Sequence, residues 1–425
     1  MNIDIPYGQT YLKVSIPDNN ILGIVRTNEI VFPDGPTKLI DFALQHPLGT
    51  LQIHDIVSPS DTVAIVVDDY TRPCPTKILL PPLLQELSQA GINDTDVTII
   101  IGTGTHHPPS SETIQKLLGE KILRNYNIIF TDQKSSSFVN VGESSYHHHI
   151  EILKEYVEAD VKILVSDIEY HYFAGYGGIR KSVLPAISSK KTIQQNHAMM
   201  FDPHASTGNI KQNPVHLEMT QAMRMTGCDF SLGCVLNSKH HIVGVWTGDP
   251  ELVMDAGITL VDSMYKSEIP SKPDIVVVAS DGAPHDINLY QALKALNTAS
   301  QVVKNNGWII LAADCHEGIG SDLYQEWLQR YHTSSEIKTA LEKDFQIGAH
   351  KAYYHRLAVE TFHIGLISSF PDSFVKQVLS FQPFLTLQDA LDHALKQMGE
   401  SAKVLVIPNG TTTHVTTLTC DEKEK

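Results

Sequence analysis

Polar residues that could do chemistry follow three apolar runs with the composition of neighbouring strands. The runs at residues 63–67, 97–101 and 161–165 lead into residues 68–75, 102–109 and 166–182, which carry aspartate, arginine, histidine, glycine and lysine. Ligands in open parallel sheets lie beyond the carboxyl ends of the strands. These three segments are therefore where we expect a site.

The acidic and basic side chains in these segments allow more than one interpretation. Asp69 and Arg72 could bind a charged ligand or form a structural ion pair, and His106 could act as a base or cap a helix. His106, His171 and His197 could also form a three-histidine zinc site. Their spacing is wide and each histidine is predicted on a different element, which disfavours that site.

Glycine-rich and histidine-rich stretches give weaker signals. Residues 102–105, Gly-Thr-Gly-Thr, lack the third glycine and the later acidic residue of a dinucleotide-binding turn. Residues 175–178 supply backbone amides that could approach a phosphate, with Arg180 and Lys181 adding charge, but the Walker order is absent. The three histidines at 147–149 lie among serines and polar residues, which is typical of a solvated loop.

The elements that must position these residues indicate an α/β fold. Continuous β-branched runs alternate with helical patterns, as parallel sheets covered by helices require. A second series of runs begins at residue 275 after a Pro/Ser/Lys stretch at 266–273, which reads as a linker. We predict two domains, each with a mainly parallel sheet covered by helices: residues 1–268, and residues 274–425, whose last residues could return to the first domain. The active site is expected in the cleft between them.

Composition excludes several classes of protein. The chain has 425 residues, of which 42% are hydrophobic, and 48 acidic residues against 32 basic ones give a formal charge of −16. This charge disfavours binding to nucleic acid or to an anionic membrane surface. No apolar run is long enough to span a bilayer and no signal pattern is present, so we expect a cytoplasmic protein. Five cysteines without a Cys-x-x-Cys pair predict reduced thiols.

Four motifs together resemble the lactate racemase family, whose enzymes carry a nickel-pincer nucleotide. They are residues 68–75, 102–109, 168–197 and 290–294, in this order and at about the family's separations. The cofactor of that family is a pyridinium mononucleotide with a thioamide and a thiocarboxylate that hold nickel. The resemblance implies a covalent link to Lys181, nickel ligation by His197, and further cofactor contacts from residues matching the family motifs: Asp69, Thr71, Arg72, Gly177 and Gly178.

The same resemblance assigns the reaction and its remaining residues. His106 and His171 match the two catalytic histidines, which move the hydroxyl proton while hydride passes to the cofactor and leaves a 2-keto acid. Arg72, Tyr290, Gln291 and Lys294 match the substrate-binding residues. The implied function is racemisation or 2-epimerisation of a 2-hydroxy acid, and the implied partners are this small molecule and the enzymes that make the cofactor. Both a monomer and a homo-oligomer remain open.

Three positions depart from the pattern of lactate racemases and favour a substrate other than lactate. Tyr70 replaces a histidine, Ile179 replaces a small residue, and Ile347 replaces a tryptophan that lines the lactate pocket. Two other functions stay open. A nicotinamide-dependent hydroxy-acid dehydrogenase would need a dinucleotide site that the sequence lacks. A non-catalytic nucleotide- or metal-binding protein would not require the pair His106 and His171.

Overall fold

The computed structural model describes residues 1–346 and 348–418, which fold into two compact units. Glu29–Ser263 form one unit, named here the continuous unit. Met1–Asn28 join the chain from Met264 onwards in the other, named the split unit. The predicted first domain, residues 1–268, therefore differs from the continuous unit at both ends.

The elements follow in chain order. The first part of the split unit contains strands β1 (Asn2–Tyr7), β2 (Thr10–Ser15) and β3 (Ile21–Ile24). The strands of the continuous unit are β4 (Val63–Asp68), β5 (Val97–Gly102), β6 (Asn127–Phe130), β7 (Phe138–Glu143), β8 (His149–Leu153), β9 (Val161–Asp167), β10 (Tyr170–His171), β11 (Gly175–Tyr176), β12 (Phe230–Leu236) and β13 (Ile242–Gly248). Its helices are α1 (Pro36–Gln45), α2 (Ile53–Ile56), α3 (Thr76–Gln89), α4 (Ser111–Leu118), α5 (Glu120–Asn125), α6 (Lys154–Val157), α7 (Lys190–Ala198) and α8 (Pro214–Thr226), followed by α9 (Pro250–Tyr265), which crosses into the split unit.

The rest of the split unit repeats the alternation of strand and helix. Its strands are β14 (Lys266–Ile269), β15 (Ile275–Ala279), β16 (Trp308–Ala312), β17 (His363–Ile367), β18 (Gln382–Pro383), β19 (Val404–Ile407) and β20 (His414–Thr417). Its helices are α10 (Leu289–Val302), α11 (Asp322–Arg330), α12 (Ser334–Lys343), α13 (His350–Thr361), α14 (Asp372–Phe374), a π-helical turn at Val375–Leu379, and α15 (Leu387–Met398).

The sheet of the continuous unit has the order β13-β12-β9-β4-β5-β6, and only its edge strand β13 runs antiparallel. Residues 63–67 are all buried, as expected for a central strand covered on both faces. Asp68 at the end of β4 is opposite Gly102 at the end of β5. The polar segments that follow β9, β4 and β5 thus leave neighbouring strands at one edge, as the sequence predicts.

The split unit contains a fully parallel sheet with the order β18-β17-β16-β15-β19-β3. Residues 1–28 belong to this unit because β3 pairs with β19, and because Ile5, Val14 and Ile16 of the β1–β2 hairpin are buried in its core. The predicted linker at 266–273 is partly a strand, since β14 pairs in parallel with β20. Among the described residues, the longest and most apolar helices still fall short of what a membrane crossing would need.

Candidate active site

The predicted catalytic histidines are positioned by two short, sharply turned segments of the continuous unit. His106 lies in the loop after β5, and His171 ends β10, which pairs with β11 in a small hairpin. Gly175 makes this hairpin possible, because its φ is +77° and a Cβ there would lie 2.3 Å from the carbonyl oxygen of Asn209. A side chain at this position would force the hairpin and His171 to move.

A buried carboxylate orients His106. Nδ1 of His106 lies 2.7 Å from Oδ2 of Asp69, whose side chain is 2% exposed. Oδ1 of the same carboxylate accepts hydrogen bonds from the hydroxyl and the backbone N–H of Thr71, at 2.6 and 3.1 Å. Burial alone would raise the pKa of Asp69. The hydrogen bonds from His106 and Thr71, together with the charge of His106, lower it. Asp69 is therefore an acceptor, and the neutral form of His106 carries its hydrogen on Nδ1 and a lone pair on Nε2.

His171 has the opposite hydrogen-bonding pattern. Its Nδ1 accepts a hydrogen bond of 3.2 Å from the backbone N–H of Ala174. Burial is the main cause that holds the pKa of His171 well below its usual value, and the positive charge of Arg72 lowers it further. His171 is therefore neutral and carries its hydrogen on Nε2. The two histidines present different groups at Nε2: a lone pair on His106 and an N–H on His171.

Arg72 is surrounded by four carboxyl groups, of which the sequence pointed only to Asp69. Its Nη1 lies 3.7 Å from Oε1 of Glu169, and both side chains are about one third exposed. Burial would lower the pKa of Arg72, but the charges of Glu169, Asp68, Asp167 and Asp69 raise it. Arg72 thus stays charged and can hold a carboxylate by a planar two-donor contact.

Asp68 and Asp167 form a carboxyl pair near Arg72. Burial is the main cause that raises the pKa of Asp68 to about 6 and the pKa of Asp167 well above its usual value. The two carboxyl groups hydrogen-bond to each other, so one of them keeps a proton. Oxygen atoms of both residues and Sγ of Cys74 lie within 4.8 Å of one another. This strand-end cluster was missed because its members are separated by up to 99 residues.

Lys181 lies in a tight 3₁₀ turn at Ile179–Ser182. Burial, followed by the charges of Arg72 and Arg180, lowers the pKa of its amine well below the usual value, which favours the neutral, nucleophilic form. Arg180 holds the turn in place by donating to the carbonyl oxygens of Ala174 and Tyr176, at 3.0 and 2.7 Å. Oγ of Ser182 is buried and has no hydrogen-bond partner among residues 1–346 and 348–418.

His197 is on the last turn of α7, a helix capped by Ser189, whose hydroxyl accepts from the N–H of Thr192. The imidazole is buried and lies edge-on to Phe173, with 5.2 Å between ring centroids. Within the described part of the chain, His106, His171 and His197 do not bring their ring nitrogens within 4.8 Å of one another as a three-ligand group. The zinc interpretation is therefore not supported, while His197 remains a separate candidate ligand.

The predicted solvated loop of histidines is more structured than its sequence indicated. His147 is exposed and pairs with Glu143, in line with the prediction. His148 instead bonds to Glu218, a fully buried carboxylate on α8. No sequence signal pointed to this contact, since 70 residues separate the two side chains.

The departures from the lactate racemase pattern have different structural settings. Tyr70 is exposed, and its hydroxyl donates to the carbonyl of His107 at 3.3 Å. Ile179 is fully buried beside Gly233, so its larger side chain changes the packing of the loop. Ile347 lies outside the described residues.

The split unit carries the second predicted motif. Tyr290 and Gln291 are half-buried in the first turn of α10, where Oδ1 of Asn288 accepts from the N–H of Gln291 at 3.1 Å, and Lys294 is exposed one turn later. Nζ of Lys351 donates to the carbonyl of Tyr290 and lies 3.8 Å from the centroid of its ring. Burial and the charge of Lys294 lower the pKa of Lys351 well below its usual value.

Comparisons with known proteins match the whole chain. The family described as Lactate racemase N-terminal domain matches residues 7–208, and the Lactate racemase C-terminal domain matches residues 269–415. Lactate racemases from Thermoanaerobacterium thermosaccharolyticum and Lactiplantibacillus plantarum are each 30% identical to this chain, covering 96% of it and 98% of the relative.

Two solved structures are also similar. The lactate racemase apoprotein from T. thermosaccharolyticum has a TM-score of 0.89 at 29% identity and covers 98% of this chain and 100% of its own. A protein from Thermotoga maritima has a TM-score of 0.63 at 18% identity and covers 93% of this chain and 100% of its own, which is a likeness of fold alone.

Proposed function

The chain belongs to the lactate racemase family, and from this premise we propose that it racemises or 2-epimerises a 2-hydroxy carboxylic acid with a side chain other than that of lactate. The relatives are isomerases by name. The observation that carries the proposal is the complementary pair His106 and His171, one with a lone pair at Nε2 and the other with an N–H.

The residues of the continuous unit fit the nickel-pincer nucleotide as cofactor. A neutral, buried Lys181 amine suits covalent attachment, and the unpaired hydroxyl of Ser182 next to it can bond to a polar group held there. His197 would be the protein ligand of nickel, because one imidazole with soft sulfur donors suits Ni(II). When bound, this group supplies a reversible acceptor for hydride. Further contacts are proposed for a set of residues that line the same strand ends: Asp69, Thr71, Arg72, Gly177 and Gly178.

The chain's own residues account for the proton transfers. His106, oriented by Asp69, takes the hydroxyl proton of the substrate at Nε2. His171 donates a hydrogen bond from Nε2 to the substrate oxygen, which stabilises the carbonyl of the 2-keto acid, and the proton that His106 took returns to this oxygen as the opposite enantiomer forms. Arg72 holds the substrate carboxylate, and Tyr290, Gln291 and Lys294 are proposed as contacts from the split unit.

The two alternatives explain fewer of these features. A nicotinamide-dependent dehydrogenase would need a dinucleotide turn, and residues 102–105 do not supply its glycine pattern. A non-catalytic binding protein would gain nothing from holding His106 and His171 with opposite hydrogen-bonding patterns.

The proposal is tested by producing the chain with and without the cofactor-making enzymes. The loaded protein should carry an added mass that is absent from Lys181→Ala, and it should convert single enantiomers of 2-hydroxy acids into mixtures resolved by chiral chromatography. We expect kcat/KM to be higher for a longer aliphatic, polyol or second-carboxylate side chain than for lactate. A protein with the added mass but without conversion of any 2-hydroxy acid would contradict the activity, and a kcat/KM highest for lactate would contradict the substrate class.

A further inference from the structure

A buried carboxylate connects the histidine loop at residues 144–149 to the helix that carries His197. Oε1 of Glu218 accepts hydrogen bonds from Oγ of Ser144 at 2.6 Å and from Nδ1 of His148 at 2.8 Å. Oε2 accepts from Nδ2 of Asn196 at 3.0 Å. The side chain of Glu218 is fully buried, so all of its hydrogen-bonding capacity is directed at these neighbours.

Three donors make burial of this carboxylate tolerable. An ionised carboxylate taken out of water is costly unless hydrogen bonds replace its hydration. Here two donors come from the loop and one comes from α7. Removing one donor leaves the charge of Glu218 less satisfied, so the loop and the helix depend on each other.

Asn196 transmits this connection to the metal-ligand position. Its Nδ2 also donates to the carbonyl of Val215 on α8 at 3.2 Å, so two acceptors of one helix hold the amide. Asn196 directly precedes His197, and a fixed Asn196 side chain fixes the rotation of the last turn of α7. The direction of the His197 imidazole follows from that rotation.

The other end of α7 is held by the same region of the chain. Glu151 accepts from the hydroxyl of Ser189 at 2.6 Å, and Thr192 donates to the carbonyl of His149 at 3.1 Å. The start of α7 is therefore attached to residues 149–151, and Glu218 supplies the attachment nearest to His197.

We infer that Glu218, His148 and Asn196 form a positioning group that sets the direction in which His197 is presented to nickel. This inference rests on the proposed function and assigns a role to the histidine loop. Neither Glu218 nor His148 touches the reacting atoms in this role. They act through Asn196 and the last turn of α7.

The loop contains its own matched control. His147 and Glu143 form a second histidine–glutamate pair with an Nδ1–Oε1 distance of 2.7 Å, close to the 2.8 Å of His148 and Glu218. The His147 pair is exposed, at 88% and 48%, and belongs to the loop alone. Substituting the adjacent residues His147 and His148 thus compares loss of a surface pair with loss of the link to α7.

The experiment measures nickel separately from the covalent nucleotide. His148→Ala and Asn196→Ala, with His147→Ala as control, are loaded with cofactor, desalted, and analysed by intact mass for the adduct and by elemental analysis for nickel. We expect equal adduct in all variants and a nickel affinity about 10- to 100-fold weaker in His148→Ala and Asn196→Ala, the range seen for partners that orient metal ligands. His148→Gln, which keeps a neutral donor, should restore most of it. Equal nickel per adduct in His148→Ala and His147→Ala would overturn the inference.

A second measurement uses the protein without cofactor. Amide hydrogen exchange of α7 should accelerate at residues 196–198 in His148→Ala and remain as in the parent protein in His147→Ala. Unchanged exchange there would also overturn the inference. If the cofactor assignment in the proposed function is wrong, the parent protein itself carries neither adduct nor nickel, a result that differs from selective loss in one variant.

Discussion

At the scale of single residues, hydrogen bonding decides which nitrogen of each histidine can react. Asp69 can only accept, so His106 must donate from Nδ1, whereas the backbone N–H of Ala174 makes Nδ1 of His171 an acceptor. Neither assignment follows from residue type, because an isolated imidazole has both tautomers available. The partners create the difference on which the proposed proton transfers depend.

Asp69→Asn tests the orientation of His106. The amide of the new asparagine can donate as well as accept, so it no longer requires hydrogen on Nδ1 of His106. The negative charge of Asp69 is lost as well. We expect kcat to fall by about 10²–10⁴-fold in both directions, the contribution typical of a general base. Thr71→Val is the comparison, since it removes one donor to Asp69 but keeps the carboxylate. A kcat within a few fold of the parent protein in Asp69→Asn would contradict this role.

The pair Asp68 and Asp167 predicts a specific dependence of stability on pH. A carboxyl group whose pKa is raised on folding stabilises the protein at a pH below the pKa that the group has in the unfolded chain. This stabilisation is lost as the pH rises through the pKa that the group has in the folded protein. For Asp68 that window runs from the ordinary value of 3.8 to about 6. Asp167→Asn removes one carboxyl group of the pair, so less stability should be lost as the pH rises. We expect this variant to be more stable than the parent protein by about 1–2 kcal/mol at pH 7, with little gain at pH 4. Denaturant unfolding at the two pH values measures it, and an equal gain at both would contradict the paired titration.

At the scale of elements, the hairpin of β10 and β11 is the most constrained part of the candidate site. Gly175 combines a φ of +77° with a carbonyl oxygen 2.3 Å from any Cβ. Tyr170 and Tyr176, paired across the hairpin, both donate to Oδ1 of Asp262, at 2.7 and 2.6 Å. The hairpin is thus held from its turn and from its strands, which leaves little freedom for His171.

Gly175→Ala should move this hairpin as well as strain it. Gly399 is the matched control, because its φ is +93° and nothing lies within 4 Å of its Cβ position. We expect about 1–2 kcal/mol of destabilisation in Gly399→Ala from backbone strain. Gly175→Ala should be destabilised by more than Gly399→Ala, and its kcat should fall because His171 is displaced. Equal destabilisation with normal kcat in both variants would show that the close contact has no consequence.

Local signals predicted the elements that are built from local sequence. The apolar runs before Asp68, Gly102 and Asp167 predict strands, because central parallel strands need continuous apolar residues, and the structure confirms these strands. The site expected at their polar ends stays a prediction. Helix α3 ends at Gln89, shortly before Gly91, a residue type that is common just past helix C-termini. Contacts between distant segments had no local signal. The Glu218–His148 bond and the pairing of β14 with β20 could not be read from either partner alone.

At the scale of the whole molecule, the first 28 residues differ most from the expected division. The runs of the second series predict a second sheet correctly, but β3 has only four residues, all half-buried, and no pattern tells which sheet it joins. Its partner β19 lies about 380 residues later, where Val404 pairs with Ile21. A domain assembled from both ends of a chain looks from its sequence like an N-terminal extension of the neighbouring domain.

This arrangement predicts that the C-terminal segment cannot fold well without residues 1–28. Without them the edge of β19 is unpaired, and the core loses Ile5, Val14 and Ile16, which are at most 1% exposed. Each such side chain contributes about 1.5–3 kcal/mol when buried, and the whole stability of a domain is about 5–15 kcal/mol. We expect a fragment beginning at residue 264 to aggregate or to melt without cooperativity, because the stabilisation that it loses is comparable to the total stability of a domain.

The fragment spanning residues 29–263 keeps its six-stranded sheet and serves as the control, with a cooperative thermal transition expected by circular dichroism. Linking residues 1–28 to the fragment from residue 264 through a flexible linker should restore a cooperative transition, and a transition of equal cooperativity without residues 1–28 would contradict the assignment of β3 to this sheet.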